Sequence, residues 1–167
     1  MRKPSKEDLD PPLIEAHVRL FEYVMAVGDE IGEERAWEIL EGLVTKKRLR
    51  WLDENRDILR PTGSEVERAY DAFLIKYLGL NREEVPIVER SETRIVYRSY
   101  NYCPTLEACK RLGLDTREVC RRAYEKPVEA FLKAIDPRLR FGRNYERIRP
   151  YAEFCEEVIW LEAKPSD

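Results

Sequence analysis

The chain has 167 residues, 43% of them apolar and 38% charged, with a formal net charge of −3. This composition excludes intrinsic disorder, fits one domain spanning 1–167, and disfavours nucleic acid as a partner. No apolar run approaches a membrane span, and Met1 to Lys6 lack a signal-peptide core, so a cytoplasmic chain without a membrane partner is expected.

Residues 1–10 are polar and are expected to fray. Asp10, Pro11 and Pro12 open a helix, with Asp10 as its cap. Leu13, Ile14, His17, Leu20, Phe21, Val24 and Met25 form its apolar stripe, and Gly28 is expected to end it. His17 is the sole histidine, and on such a stripe a histidine packs more often than it binds a ligand. A second helix is expected over Glu33–Lys47, where Lys46, Lys47 and Arg48 offset the dipole at its C-terminal end. Trp51, Leu52, Ile58 and Leu59 predict a further short helix before Pro61. Ser64 and Glu67 form a capping box for a helix that Gly79 closes. The first 80 residues therefore read as a helical layer.

The texture changes after Asn81. Val85–Glu89 reads as a short edge strand because of Pro86. A turn at Arg90–Glu92 leads into a strand over Thr93–Tyr102. Ile95, Tyr97, Ser99, Asn101 and Cys103 share one of its faces. A short helix over about Thr105–Leu112 stops at Gly113, and Asp115 or Thr116 caps the next helix, which carries Cys120. Pro127 restarts a helix through Ile135. Two strands follow, Arg138–Phe141 and Phe154–Leu161, and a loose tail over Ala163–Asp167. The fold class is α+β: an N-terminal helical layer packed on an antiparallel sheet (81–167), with short helices inserted between strands.

The organising stretch is Tyr100–Cys120, which holds three of the four cysteines. In a cytoplasmic chain these are thiols or ligands rather than disulfides. Cys103 ends a strand and Pro104 begins a helix, so the Cys103 sulfur lies near unpaired helix N–H groups, a setting that lowers a thiol pKa. Cys109 shares an apolar helix face with Leu106 and reads as a small core residue. Cys103 and Cys155 fall on strands of one sheet, and Cys120 on a helix able to cover it. The spacing is not that of a zinc finger or ribbon. Convergence of Cys103, Cys120 and Cys155 nevertheless makes them the candidate metal ligands, with zinc as the metal and Cys109, His17 or a carboxylate as a fourth ligand. From Thr93 to Pro150 there are 14 Lys/Arg against 7 Asp/Glu. That balance suits a pocket for an anionic small molecule. Arg98, Asn101 and Arg121 are the candidate ligand-binding residues. The basic run Arg138–Arg149, with Phe141 and Tyr145, is the only nucleic-acid candidate and a weak one.

The segment from about Arg98 to Glu162 resembles a family of small prokaryotic proteins similar to L-2-amino-thiazoline-4-carboxylate hydrolase and related to the four-vinyl-reductase domain. The resemblance rests on Tyr102, Cys103 and Pro104; Ala108 and Cys109; Gly113, Leu114 and Asp115; Val119 and Cys120; Ile135, Asp136 and Pro137; and Phe154, Cys155 and Glu156. It implies an α+β fold in the superfamily of haem-based nitric-oxide sensors and Golgi-tethering TRAPP subunits. It also implies a small, often hydrophobic ligand at a site formed by Cys103, Cys120 and Cys155. The leading expectation is thus a small-ligand-binding or sensor domain with a cysteine-lined, zinc-loaded site. The alternatives are a hydrolase of cyclic amide- or thiazoline-like substrates, using a cysteine or a zinc-bound water, and a scaffolding homodimer joined through its N-terminal helices.

Overall fold

A computed structural model describes residues 11–60 and 62–163. The Asp10 cap, the polar start and the tail beyond Ala163 lie outside the described residues. Helix α1 spans Pro11–Ile31 and α2 spans Glu33–Glu54. The stop falls at Gly32, with φ at 99°, rather than at Gly28. A Cβ on Gly28 would come within 3.2 Å of the Glu33 backbone. Gly28 therefore serves the close approach of the two helices, not their separation. Helix α2 also runs past Lys47 and absorbs Trp51 and Leu52, because nothing between Glu33 and Glu54 breaks it. Of the expected short helix only a 3₁₀ turn at Arg56–Ile58 remains.

Helix α3 begins at Glu65 and is α-helical to Tyr70. Ser64 caps it by accepting the Glu67 N–H at 3.3 Å. Its continuation, Asp71–Tyr77, is π-helical, and Gly79 (φ 67°) lies just beyond its end. Strand β1 is Ile87–Arg90 and β2 is Arg94–Ser99. β2 stops four residues short of Cys103, which caps helix α4, Pro104–Leu112. Helix α5 covers Thr116–Ala123, capped by Asp115, and α6 covers Glu125–Lys133. Strands β3, Leu139–Arg143, and β4, Cys155–Leu161, complete the chain.

The fold is α+β. The sheet is antiparallel in the order β1-β2-β4-β3, with β4 between β2 and β3. β1 is an edge strand, as Pro86 predicts. Ile95, Tyr97 and Ser99 of β2 share a buried face with Glu157 and Ile159 of β4 and Leu139 and Phe141 of β3. Alternation along each strand puts them there. The main core joins this face to Val66, Tyr70, Phe73, Leu74, Val128, Phe131 and Leu132 of α3 and α6, and to Leu52 of α2. A second cluster unites Phe21, Val24, Trp37 and Leu40 of the α1–α2 hairpin with Ala108, Cys109, Val119 and Ala123 of α4 and α5. Each large side chain fully buried in this way contributes roughly 1.5–3 kcal/mol. Phe73, Leu74, Leu80 and Val128 of the main core and Tyr124 beside the second cluster border a cavity that the cysteine stretch reaches at residues 101–105 and at Cys120.

Candidate functional site

Between the helical layer and the inner face of the sheet lies a cavity of about 500 Å³. Its sheet wall carries Ser99, Cys155, Glu157 and Arg143. Ser99 sits opposite Cys155, and Glu157 opposite both Tyr97 and Arg143. Tyr97, Glu157 and Arg143 thus form one row across three strands. The Arg143 Nε donates to Glu157 at 3.1 Å. Their side chains are 9% and 10% exposed, so this ion pair is buried. Burial opposes the Arg143 charge, but Glu157 outweighs it and holds the guanidinium well above its ordinary pKa. Burial, and next the Glu157 charge, push the Tyr97 phenol well up.

The stretch after β2 supplies Asn101, Tyr102, Cys103, Pro104 and Thr105 to the wall. Arg149, from the loop before β4, ties this wall together. Its backbone N–H and its Nε both donate to the Cys155 sulfur at 3.4 Å, and its Nη1 donates to the Asn101 carbonyl at 2.5 Å. Thr116 at the start of α5 donates to the Arg149 carbonyl at 2.7 Å. Cys103 accepts the Leu106 N–H at 3.5 Å. The helix terminus and Arg149 do favour its thiolate, as the sequence implies, but desolvation is larger and the Cys103 pKa is raised. Burial likewise pushes the Cys120 thiol to about 12, against the pull of Arg143. These are protonated thiols at neutral pH.

The helical wall is mostly apolar: Leu13, Phe73, Leu74, Leu78, Leu80 and Val128. The π-helical turn places Phe73 and Leu74 here, and π segments gather at functional sites. Leu13 and Leu78, both exposed, and half-buried His17 mark the solvent side. His17 Nδ1 pairs with the Leu13 carbonyl at 2.9 Å, an assignment in which Nδ1 carries the proton and Nε2 is left as acceptor.

Set into this apolar wall is Arg48. Its guanidinium lies over the rings of Phe73, Tyr77 and Tyr124, at 5.2, 5.9 and 5.8 Å. The Nε and Nη1 atoms are buried and have no hydrogen-bond partner among the described residues. Burial lowers the Arg48 pKa, with Tyr77 the main opposing influence. The sequence placed Arg48 at a helix end, offsetting the dipole with Lys46 and Lys47. The signal that finds it is spacing: Leu40, Val44, Arg48 and Trp51 or Leu52 recur every three to four residues. Arg48 therefore stands on the core stripe of a helix about two turns longer than expected.

Of the sequence candidates, Cys103, Cys120, Cys155, His17 and Asn101 come together around this cavity. Cys109 does not. It is buried among Ala108, Val119 and Ala123, and burial pushes its thiol to about 12. Arg121 also lies elsewhere, paired with Glu118 at 2.9 Å and stacked over Tyr145 at 4.3 Å. Arg98 faces the opposite side of the sheet, because it alternates with Tyr97 and Ser99. It is paired with Glu156 at 3.1 Å in a groove of about 790 Å³. That groove is larger, but its cations are matched: Arg94 by Glu89, Arg98 and Arg147 by Glu156. Among the described residues, no three or more His, Cys, Asp and Glu side chains stand where they could hold one metal ion. No helix of the described residues is long and apolar enough to cross a membrane.

Comparison with family models, with curated proteins and with solved structures found no match.

Proposed function

We propose that this chain is a small-ligand-binding domain whose site is the cavity between the helical layer and the sheet. The observation that carries this reading is convergence. Three cysteines, His17 and three arginines reach one cavity from α1, α2, α5, β3, β4 and the two loops around Cys103 and Arg149. A cavity of about 500 Å³ with apolar walls and a few polar groups matches small-molecule sites in general. The resemblance to small-molecule-binding relatives of the four-vinyl-reductase domain points the same way. The test is to replace Cys120, on the cavity wall, with Trp. A compound library screened by thermal shift then gives ligands that stabilise the wild type and not Cys120→Trp. A screen in which every stabilising compound acts equally on both proteins sinks the reading.

Zinc loading is a second reading, favoured by three thiols and an imidazole on one cavity. Zinc thiolates bring sulfurs to about 4 Å of one another; no such group stands ready among the described residues, so binding would require the side chains to move. Binding would also release the thiol protons. Elemental analysis of protein purified without chelator decides it: one zinc per chain, lost in Cys103→Ser, is the expected outcome. The hydrolase reading draws on Cys103 and His17 lining the same cavity. It requires turnover that Cys103→Ala abolishes in a protein that still folds. The dimeric reading draws on the exposed Leu20, Tyr23, Ile39 and Leu43 of α1 and α2. It requires sedimentation as a dimer.

A further inference from the structure

The cavity holds charges that the described residues do not balance. Arg143 is paired with Glu157. Arg48 and Arg149 have no carboxylate partner among the described residues; Arg149 is held only by the Cys155 sulfur and the Asn101 carbonyl. Arg48 is more extreme, with three aromatic rings around it and two buried nitrogen atoms unpartnered among the described residues. Aromatic faces offset part of a cation's desolvation but not all of it. A buried cation without a counter-ion is costly, and ion pairing to a bound anion removes that cost. Arginine's planar fork fits a carboxylate or phosphate edge-on. Beside it on the helical wall, Phe73, Leu74, Leu78 and Leu80 offer a ligand apolar surface.

We propose that the cavity takes an amphipathic carboxylate, whose head group supplies the counter-ion for Arg48 and Arg149 and whose apolar body lies against Phe73, Leu74, Leu78 and Leu80. This rests on the cavity being the ligand site. At about 30 Å³ for each water-sized group, 500 Å³ admits roughly 17 such groups, which is room for a ten-carbon body and its carboxylate. The bound ligand touches both layers at once, α2 and the π-helical turn on one side and the Arg149 loop on the other.

Titration calorimetry with decanoate, decanol and acetate tests this on the full chain. Decanoate is expected to bind at least tenfold more tightly than decanol, and acetate to give no heat at the same concentration. Arg48→Met keeps the stem volume and removes the charge. It is expected to weaken decanoate at least tenfold and to leave decanol unchanged. Arg149→Met, whose side chain is not enclosed by aromatic rings, gives the same comparison if Arg48→Met does not fold. Equal affinity for decanoate and decanol in the wild type overturns the proposal and leaves the cavity reading standing. So does a folded Arg48→Met or Arg149→Met that binds decanoate as the wild type does. Acetate binding as tightly as decanoate removes the apolar half of the proposal. Cys120→Trp is expected to abolish binding of both ten-carbon probes. Binding that survives it places them elsewhere and overturns this proposal and the cavity reading together.

Discussion

Glu157 is the residue on which the polar side of the cavity turns. It is buried, lies opposite both Tyr97 and Arg143, and holds the Arg143 charge in an environment that otherwise penalises it. Breaking a buried pair by removing one partner leaves an uncompensated charge. Glu157→Ala is therefore expected to cost about 3–5 kcal/mol in urea denaturation. The double variant Glu157→Ala with Arg143→Met should recover much of that loss. Asp115 is a contrasting, surface case. The Arg117 side chain and backbone N–H, bonded to its carboxylate at the α5 cap, hold its pKa at about 2. A folded pKa below the unfolded value of about 3.9 gives stability that is present above the unfolded pKa and lost as pH falls toward the folded one. Asp115→Asn keeps a capping oxygen and removes the charge. The wild type should exceed it slightly at pH 6, by well under about 1 kcal/mol because the pair is solvent-screened. That difference should vanish between about pH 4 and pH 2. A difference that persists at pH 2 contradicts the charge assignment.

Elements differ in what their glycines do. Gly42 lies inside α2 with nothing within 4 Å of an added Cβ. Gly42→Ala should stabilise by about 1 kcal/mol, the ordinary helix preference. Gly28 lies inside α1, where the added Cβ meets the Glu33 backbone at 3.2 Å. Backbone yields less readily than a side chain, so Gly28→Ala should gain nothing and lower the thermal midpoint by loosening the α1–α2 hairpin. Opposite signs for one substitution in two helices is the outcome to look for. Because the second core cluster joins that hairpin to α4 and α5, this loosening should reach the wall that carries Cys103.

For the whole molecule, the main core takes residues from Leu52 to Ile159. Neither the helical half nor the sheet half buries its apolar face alone, so urea unfolding should be a single transition by fluorescence and circular dichroism alike. The thiols open its alkaline limb, and the buried phenols of Tyr97 and Tyr124 join them at higher pH. Burial raises the pKa of Cys103, and that of Cys109 and Cys120 to about 12. A folded pKa above the unfolded value of about 8.5 means stability is complete below pH 8.5 and declines as pH rises toward the folded values. Cys120→Ser should make that decline shallower, and an unchanged slope contradicts the thiol assignment. In native protein at pH 8, Cys109 and Cys120 should alkylate far more slowly than after unfolding.

Local rules carry most of the fold. Asp115 and Ser64 cap because their oxygens reach N–H groups two or three residues on, and Gly113 ends α4 because its φ is 66°. Two-residue alternation put Cys155, Glu157 and Ile159 on one face of β4. Each of these depends on a few neighbouring residues, and the chain alone specifies them. The cysteine cluster was legible in part for the same reason, since a strand start, a helix cap and a covering helix can be read off in sequence. Long-range packing decided the rest. Whether Gly28 stops a helix or seats Glu33 against it depends on the partner helix. The lowered thiolate that a helix terminus promises at Cys103 gives way to desolvation by elements distant in sequence. Arg48, a helix-end cation in the chain, becomes a buried one only because Phe73, Tyr77 and Tyr124 close around it. Helical spacing sets Arg48 on the core stripe of α2, but burial and charge compensation depend on everything that packs nearby, so it took the tertiary structure to enclose that guanidinium at the cavity.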